Sequence, residues 1–250
     1  AFLKISEGCD RPCSFCAIPL MRGKHRSKSV EDIIVEAKNL VKNGVKEIMV
    51  IAQDSTYYGI DLYGERKLPD LLKSLSDIEG LEWIRLHYAY PTGFPMEIIH
   101  EMKRNPKVCN YLDIPLQHAS NNMLKAMKRG ATREKTTKLI NEIREIIPEI
   151  AIRTTFIAGF PGETNEDVKQ TIDFAKQIDA DYYSLSVLAP YYGTELYDQL
   201  IKNGHALDKQ PWEYFFHQSP ELMVNNTITK PMLKKFLELN ELNNKSTNYI

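Results

Sequence analysis

Phe2-Leu3-Lys4-Ile5-Ser6-Glu7-Gly8-Cys9-Asp10-Arg11-Pro12-Cys13-Ser14-Phe15-Cys16 is a short β-rich run that passes straight into a loop carrying three cysteines. The same rhythm, a β-rich run followed by a helical stretch, continues along the chain. Strands are expected at 2–6, 47–52, 83–88, 111–114, 151–157 and 182–188. Helices are expected near 30–43, 68–78, 95–104, 120–129, 133–147, 165–178 and 194–203. Ser29 can cap a helix whose apolar face is Ile33, Ile34, Ala37, Leu40 and Val41, and Gly44 can close it. Thr164 can cap one carrying Val168, Ile172, Ala175 and Ile178, and Pro148 ends the Leu139 to Ile147 stripe.

Alternating strands and helices predict an α/β fold of parallel strands with outer helices. Six βα units fall short of the eight that close a TIM barrel, so the expected architecture is an open, partial (β/α)6 TIM-like barrel. A doubly wound sheet is the other arrangement of these elements. Chemistry in parallel barrels sits at the carboxyl ends of the strands, where the cysteine loop follows the first strand. Residues 1–204 are read as the core. Residues 205–250 are read as a closing helical segment, carrying Trp212, Phe215, Phe216, Leu233 and Phe236 and ending in a frayed, Asn-rich terminus.

The 250 residues are 43% hydrophobic and 26% charged, enough for a real core. A net charge of −1 gives no field that would draw the whole molecule to nucleic acid or membrane. No apolar run approaches a membrane span and no secretory signal opens the chain, so the expected compartment is the cytoplasm. The opening strand is expected to begin at a domain boundary of something longer.

Three of the four cysteines form a C-x3-C-x2-C pattern. Clustered cysteines in a reducing compartment read as metal ligands rather than a disulfide framework. Three thiolates in one loop can hold three irons of a cubane and leave the fourth open. The amino and carboxylate groups of S-adenosylmethionine (SAM) can chelate that iron. Phe15 can shield the cluster and lie against the adenine, or simply fill the barrel mouth. Two other readings stay open: a Cys9/Cys13/Cys16/His25 zinc site in a non-catalytic binding module, and a redox pair at Cys13 and Cys16. Cys109 stands apart as a small buried residue.

The loop, with an aromatic before its last cysteine, resembles the radical SAM superfamily. Residues 5–19 and Met21-Arg22-Gly23-Lys24-His25-Arg26-Ser27 are similar to the methylthiotransferases. Asp10-Arg11 and Ala17-Ile18-Pro19 favour the branch that modifies a ribosomal-protein aspartate over the tRNA-adenosine branch. Ala52-Gln53-Asp54-Ser55-Thr56-Tyr57-Tyr58-Gly59 and Leu112-Asp113-Ile114-Pro115-Leu116-Gln117-His118 extend the likeness, which is close to about residue 163. The resemblance implies a [4Fe–4S] cluster on Cys9, Cys13 and Cys16, a 5′-deoxyadenosyl radical made from SAM, and an electron donor such as flavodoxin or ferredoxin. It further implies insertion of SCH3 at the β-carbon of an aspartate in a small-subunit ribosomal protein, with tRNA the lesser alternative.

Gln53 and Asp54 end the second strand and can accept from the SAM ammonium; Asp54 can equally cap a turn. Gln117 and His118 can reach ribose or substrate, or His118 can be a buried structural group. Arg153 needs a partner, either the SAM carboxylate, as the resemblance implies, or an internal carboxylate. The Ile157-Ala158-Gly159-Phe160-Pro161-Gly162-Glu163-Thr164 turn resembles the superfamily's adenine-binding turn, which brings in Gly159 and Glu163; a plain Gly/Pro turn is the alternative. Arg22, Lys24, His25 and Arg26 are either a partner-binding cluster or a solvated face.

Two features depart from the methylthiotransferases. Their upstream domain, with three more cysteines for an auxiliary cluster, and their downstream β-barrel are not expected within these 250 residues. An auxiliary cluster is expected only if that upstream domain is present, and sulfur insertion is not expected of these residues alone. From Asp179 onward, including Ala189-Pro190-Tyr191-Tyr192-Gly193, the chain is more similar to radical SAM proteins associated with cobalamin.

Overall fold

Burial in the strands falls on alternate residues, as a pleated strand with one face against a helical layer requires. The computed structural model describes residues 1–216 and 224–246. Its strands are β1 (Phe2–Lys4), β2 (Ser6–Glu7), β3 (Arg26–Ser27), β4 (Glu47–Ile51), β5 (Trp83–Leu86), β6 (Val108–Asp113), β7 (Ala151–Ala158) and β8 (Tyr182–Val187). Its helices are α1 (Ile18–Arg22), α2 (Val30–Lys42), α3 (Ile60–Tyr63), α4 (Leu68–Ser76), α5 (Glu97–Arg104), α6 (Asn121–Ala126), α7 (Arg133–Ile146), α8 (Asn165–Ile178), α9 (Glu195–Lys202) and α10 (Lys230–Leu237). The order in the main sheet is β1-β4-β5-β6-β7-β8, so the six expected strands form and follow the chain.

Two compact units emerge: Ala1–Asp10, Met21–Ile114 and Lys138–Ile152 in the first, Arg11–Leu20, Pro115–Thr137 and Arg153–Ile250 in the second. In the first, β1 pairs β4 and β4 pairs β5 in parallel, and a bulge shifts the register of β5 against β6. β6 starts at Val108, three residues before the expected position, so Cys109 lies inside the strand. Leu3, Ile33, Ala37, Ile48, Val50, Leu71, Leu72, Leu75, Ile84, Leu86 and Ile98 are fully buried there. Each such large side chain is worth about 1.5–3 kcal/mol of transfer free energy.

In the second unit β7 and β8 run in parallel with unbroken register. Phe156 stacks on Tyr183 at 6.4 Å and meets Phe174 of α8 edge-on. The Tyr183 hydroxyl donates to Ala175 O and accepts from Ala180 N, so its polar tip is satisfied inside the core. Helix α10 packs on α8 with Phe236 fully buried. The last four residues of the Asn-rich end expected to fray lie outside the described residues.

Candidate functional site

In the first unit, the entry to the cysteine loop is set by Gly8. Its φ is +83°, and a Cβ there would stand 2.1 Å from Lys24 O, so no other residue fits without moving backbone. Ser6 and Glu7 pair antiparallel with Ser27 and Arg26, and Cys9 N donates to Gly23 O at 3.1 Å. Asp10 accepts from His25 N. The His25 ring is buried, edge-on to Tyr57 and 3.1 Å from Ser27 Oγ, which itself donates to Asp61. Burial raises the Asp61 carboxyl, but the hydroxyl and N–H of Ser27 outweigh it and leave its pKa lowered. His25 therefore braces the hairpin, while Arg22, Lys24 and Arg26 are exposed.

Past β4, Gln53 donates to Glu7 Oε1 at 3.2 Å, and its own buried Oε1 has no hydrogen-bond partner among the described residues. Asp54 accepts from Thr56 N and Thr56 Oγ1 at 3.0 and 2.6 Å, the turn-capping arrangement. Sequence reasoning missed His87, which follows β5. Its Nδ1 lies 3.3 Å from Asp113 Oδ2, while its buried Nε2, like Ser6 Oγ, has no hydrogen-bond partner among the described residues. The only signal was a histidine at a strand's carboxyl end. Beside it, Tyr88 holds a left-handed φ of 61°.

In the second unit, Cys13 and Cys16 sit on one turn, closed by Cys16 N donating to Cys13 O. Ser14 ties that turn to the end of α6: its N–H bonds Met127 O and its hydroxyl bonds Ala126 O. Phe15 packs against the apolar cluster of Met123, Met127, Phe160 and Leu188. Burial pushes the Cys16 thiol up, the Cys13 sulfur adds to this, and the Ile18 N–H and Arg129 oppose it. Arg129, also missed from sequence, is 6% exposed; its Nη1 lies 3.5 Å from Cys13 Sγ and its Nη2 donates to Pro115 O.

Gln117 follows two residues later with φ 73°, a costly conformation for a residue with a Cβ. It is held by Gln117 N to Thr155 O and Ile157 N to Gln117 O, both 2.8 Å, and its buried side-chain Oε1 has no hydrogen-bond partner among the described residues. His118 accepts from Ser120 N at Nδ1, so its Nε2 carries the proton and donates to Glu163 Oε1 at 2.8 Å. Glu163 Oε2 accepts from Gly159 N and Phe160 N, at 2.6 and 2.9 Å. Both carboxylate oxygens thus bond the chain itself and shape the Gly159 turn, where φ is +93°. Asn225 and Thr227 take up the outward carbonyls of Phe160 and Glu163. Arg153 lies near the start of β7, about 16 Å of strand before its carboxyl end, with its guanidinium 5.4 Å over the Tyr182 ring. Among the described residues, no three His, Cys, Asp or Glu side chains stand together in a metal-ligating arrangement.

The turn of Cys13 and Cys16 and the left-handed Gln117 that follows β6 belong to an α/β protein of parallel strands. The radical SAM superfamily model matches residues 3–175, and the chain belongs to that superfamily. Its cofactors are a [4Fe–4S] cluster and SAM. The chain is 62% identical over 181 residues to ribosomal protein uS12 methylthiotransferase RimO of Flavobacterium psychrophilum, covering 72% of this chain and 42% of that protein. The RimO protein of Desulforamulus reducens is 50% identical over 194 residues, 78% of this chain and 44% of that protein. The chain thus spans less than half the length of these curated relatives. Among solved structures, the radical SAM methyltransferase TsrM of Kitasatospora setae, with cobalamin and a [4Fe–4S] cluster bound, superposes with a TM-score of 0.67 at 19% identity, over 81% of this chain and 39% of that one. Methylornithine synthase (PylB) gives 0.60 at 14% identity, over 97% and 62%. Both likenesses are of fold alone.

Proposed function

We propose that this chain is the radical SAM core of a methylthiotransferase acting on an aspartate of ribosomal protein uS12. Cys9, Cys13 and Cys16 are the cluster ligands in this reading, supported by their spacing and by membership of the superfamily. The observation that carries it is the C-x3-C-x2-C spacing, with Cys13 and Cys16 on one turn closed by Cys16 N donating to Cys13 O. Each unit by itself also holds a buried amide oxygen with no hydrogen-bond partner among the described residues, Gln53 Oε1 in one and Gln117 Oε1 in the other. Buried polar atoms are rarely left unsatisfied, and an amino-acid and ribose-bearing ligand offers the matching donors and acceptors. The bound cofactors supply one-electron reduction of SAM and a hydrogen-abstracting radical. The protein's own groups bind and orient. Gln53 and Gln117 offer amide oxygens, the Gly159 turn offers close backbone approach, and His118 with Glu163 keeps that turn in shape. Glu163 acts through the turn it holds rather than as a direct contact, and Asp54, which caps its own turn through Oδ1, remains a candidate acceptor for the SAM ammonium. The choice of uS12 rests on the relatives at up to 62% identity; the proposed electron donor, a flavodoxin or ferredoxin, rests on the superfamily's chemistry alone.

The test is anaerobic reconstitution followed by dithionite and SAM, with iron and 5′-deoxyadenosine measured. About four irons per chain, and 5′-deoxyadenosine that disappears in Cys13→Ala, are expected. One zinc, no iron and intact SAM would replace the enzyme by a zinc-stabilised binding module.

A further inference from the structure

Arg129 is a buried cation that the proposed chemistry does not yet use. Helix α6 ends just before it: Lys128 turns left-handed at φ 56° and Arg129 N returns to Leu124 O at 3.0 Å. That turn carries the guanidinium back to the cysteine turn, with Nη1 at 3.5 Å from Cys13 Sγ and Nη2 at 2.6 Å from Pro115 O. The same helix end receives Ser14 through two hydrogen bonds, so backbone and side chain fix Cys13 from one place. A planar guanidinium stays charged in any protein environment, and it gains most from an acceptor that is itself anionic. At 3.5 Å from Cys13 Sγ, the guanidinium favours an iron-bound thiolate there over a neutral thiol.

We propose that Arg129 is a positioning residue for the cluster, holding Cys13 against the Pro115 carbonyl and raising the potential at which the cluster takes up its electron. This rests on Cys13 being a cluster ligand. Reduction adds one negative charge to the cluster. A fixed cation hydrogen-bonded to a ligand sulfur favours the form with more negative charge, and at 6% exposure solvent screens it little. Removing the guanidinium therefore shifts the midpoint potential to more negative values, and a weak reductant then reduces a smaller fraction of the protein.

Wild type, Arg129→Gln and Arg129→Lys are reconstituted with iron and sulfide, their iron is counted, and their midpoint potentials are read by EPR during titration with dithionite. The expected result is about four irons in each protein, with the most negative potential in Arg129→Gln and Arg129→Lys in between. Arg129→Gln with full iron and the wild-type potential overturns the proposal. If circular dichroism shows that Arg129→Gln does not fold, Arg129→Lys decides. A single ammonium cannot reproduce the fork between sulfur and carbonyl, so its potential falls, and a wild-type value there overturns the proposal. A wild-type protein that binds no iron is a distinct result, because it removes the cluster reading on which Arg129's role stands.

Discussion

Gly8 and Gln117 both hold left-handed backbone, and substitution at each has an opposite consequence. At Gly8 any side chain meets the Lys24 carbonyl, so Gly8→Ala adds a backbone clash to the conformational strain. A loss of at least about 1–3 kcal/mol is expected, read as a lower thermal midpoint, together with reduced iron uptake because Cys9 is the next residue. At Gln117 a side chain already sits at φ 73°, and glycine relieves that strain. Gln117→Gly is expected to leave the thermal midpoint equal or higher while weakening SAM binding to the reconstituted protein, measured by equilibrium titration. Unchanged affinity would remove Gln117 Oε1 from the cofactor contacts. Gly8 announced itself in sequence only as the residue before a cysteine. Its necessity comes from a carbonyl 16 residues away in the chain, brought close by the β2–β3 hairpin.

Helix α8 shows how far local rules carry an element. Thr164 and Asp167 form a reciprocal capping box, and Asp167 also accepts from Ser120 Oγ at 2.5 Å. Thr164 was legible as a cap from the apolar stripe that follows it; the bond from Ser120 was not, because it joins residues 47 apart. Burial raises the Asp167 carboxyl, but the hydrogen bonds from Ser120 and Thr164 prevail and its pKa is lowered. The folded value lies below the unfolded one, so the stabilisation is present above the unfolded pKa and is lost as pH falls through the folded pKa. Asp167→Ala is expected to cost about 1–2 kcal/mol in urea unfolding at pH 7, and that gap should narrow below about pH 4. A gap that persists undiminished at pH 3 would show that the carboxylate charge is not what stabilises the helix start.

Within these 250 residues, cysteine number limits how many clusters can be held. Beyond the loop the sequence has one cysteine, Cys109, which lies in β6, its thiol pushed up by burial although Arg85 beside it pulls the other way. Cys109→Ala is therefore expected to leave iron at about four per chain and the thermal midpoint within a few degrees of wild type. A fall in iron would bring Cys109 into the ligand set. The sequence by itself determined the six strands, the helices between them, the cysteine loop at a strand's carboxyl end, and the Thr164 cap. Those features depend on periodicity and on neighbours a few residues apart. Tertiary structure decided the rest: that Glu163 gives both oxygens to the chain itself, that His118 donates to Glu163, that His87 Nε2 is buried with no hydrogen-bond partner among the described residues, and that Arg129 reaches Cys13. A side chain's type says which bonds it can make. Only the packing of residues distant in sequence settles which of those bonds are already taken within the chain, and so which remain for a ligand.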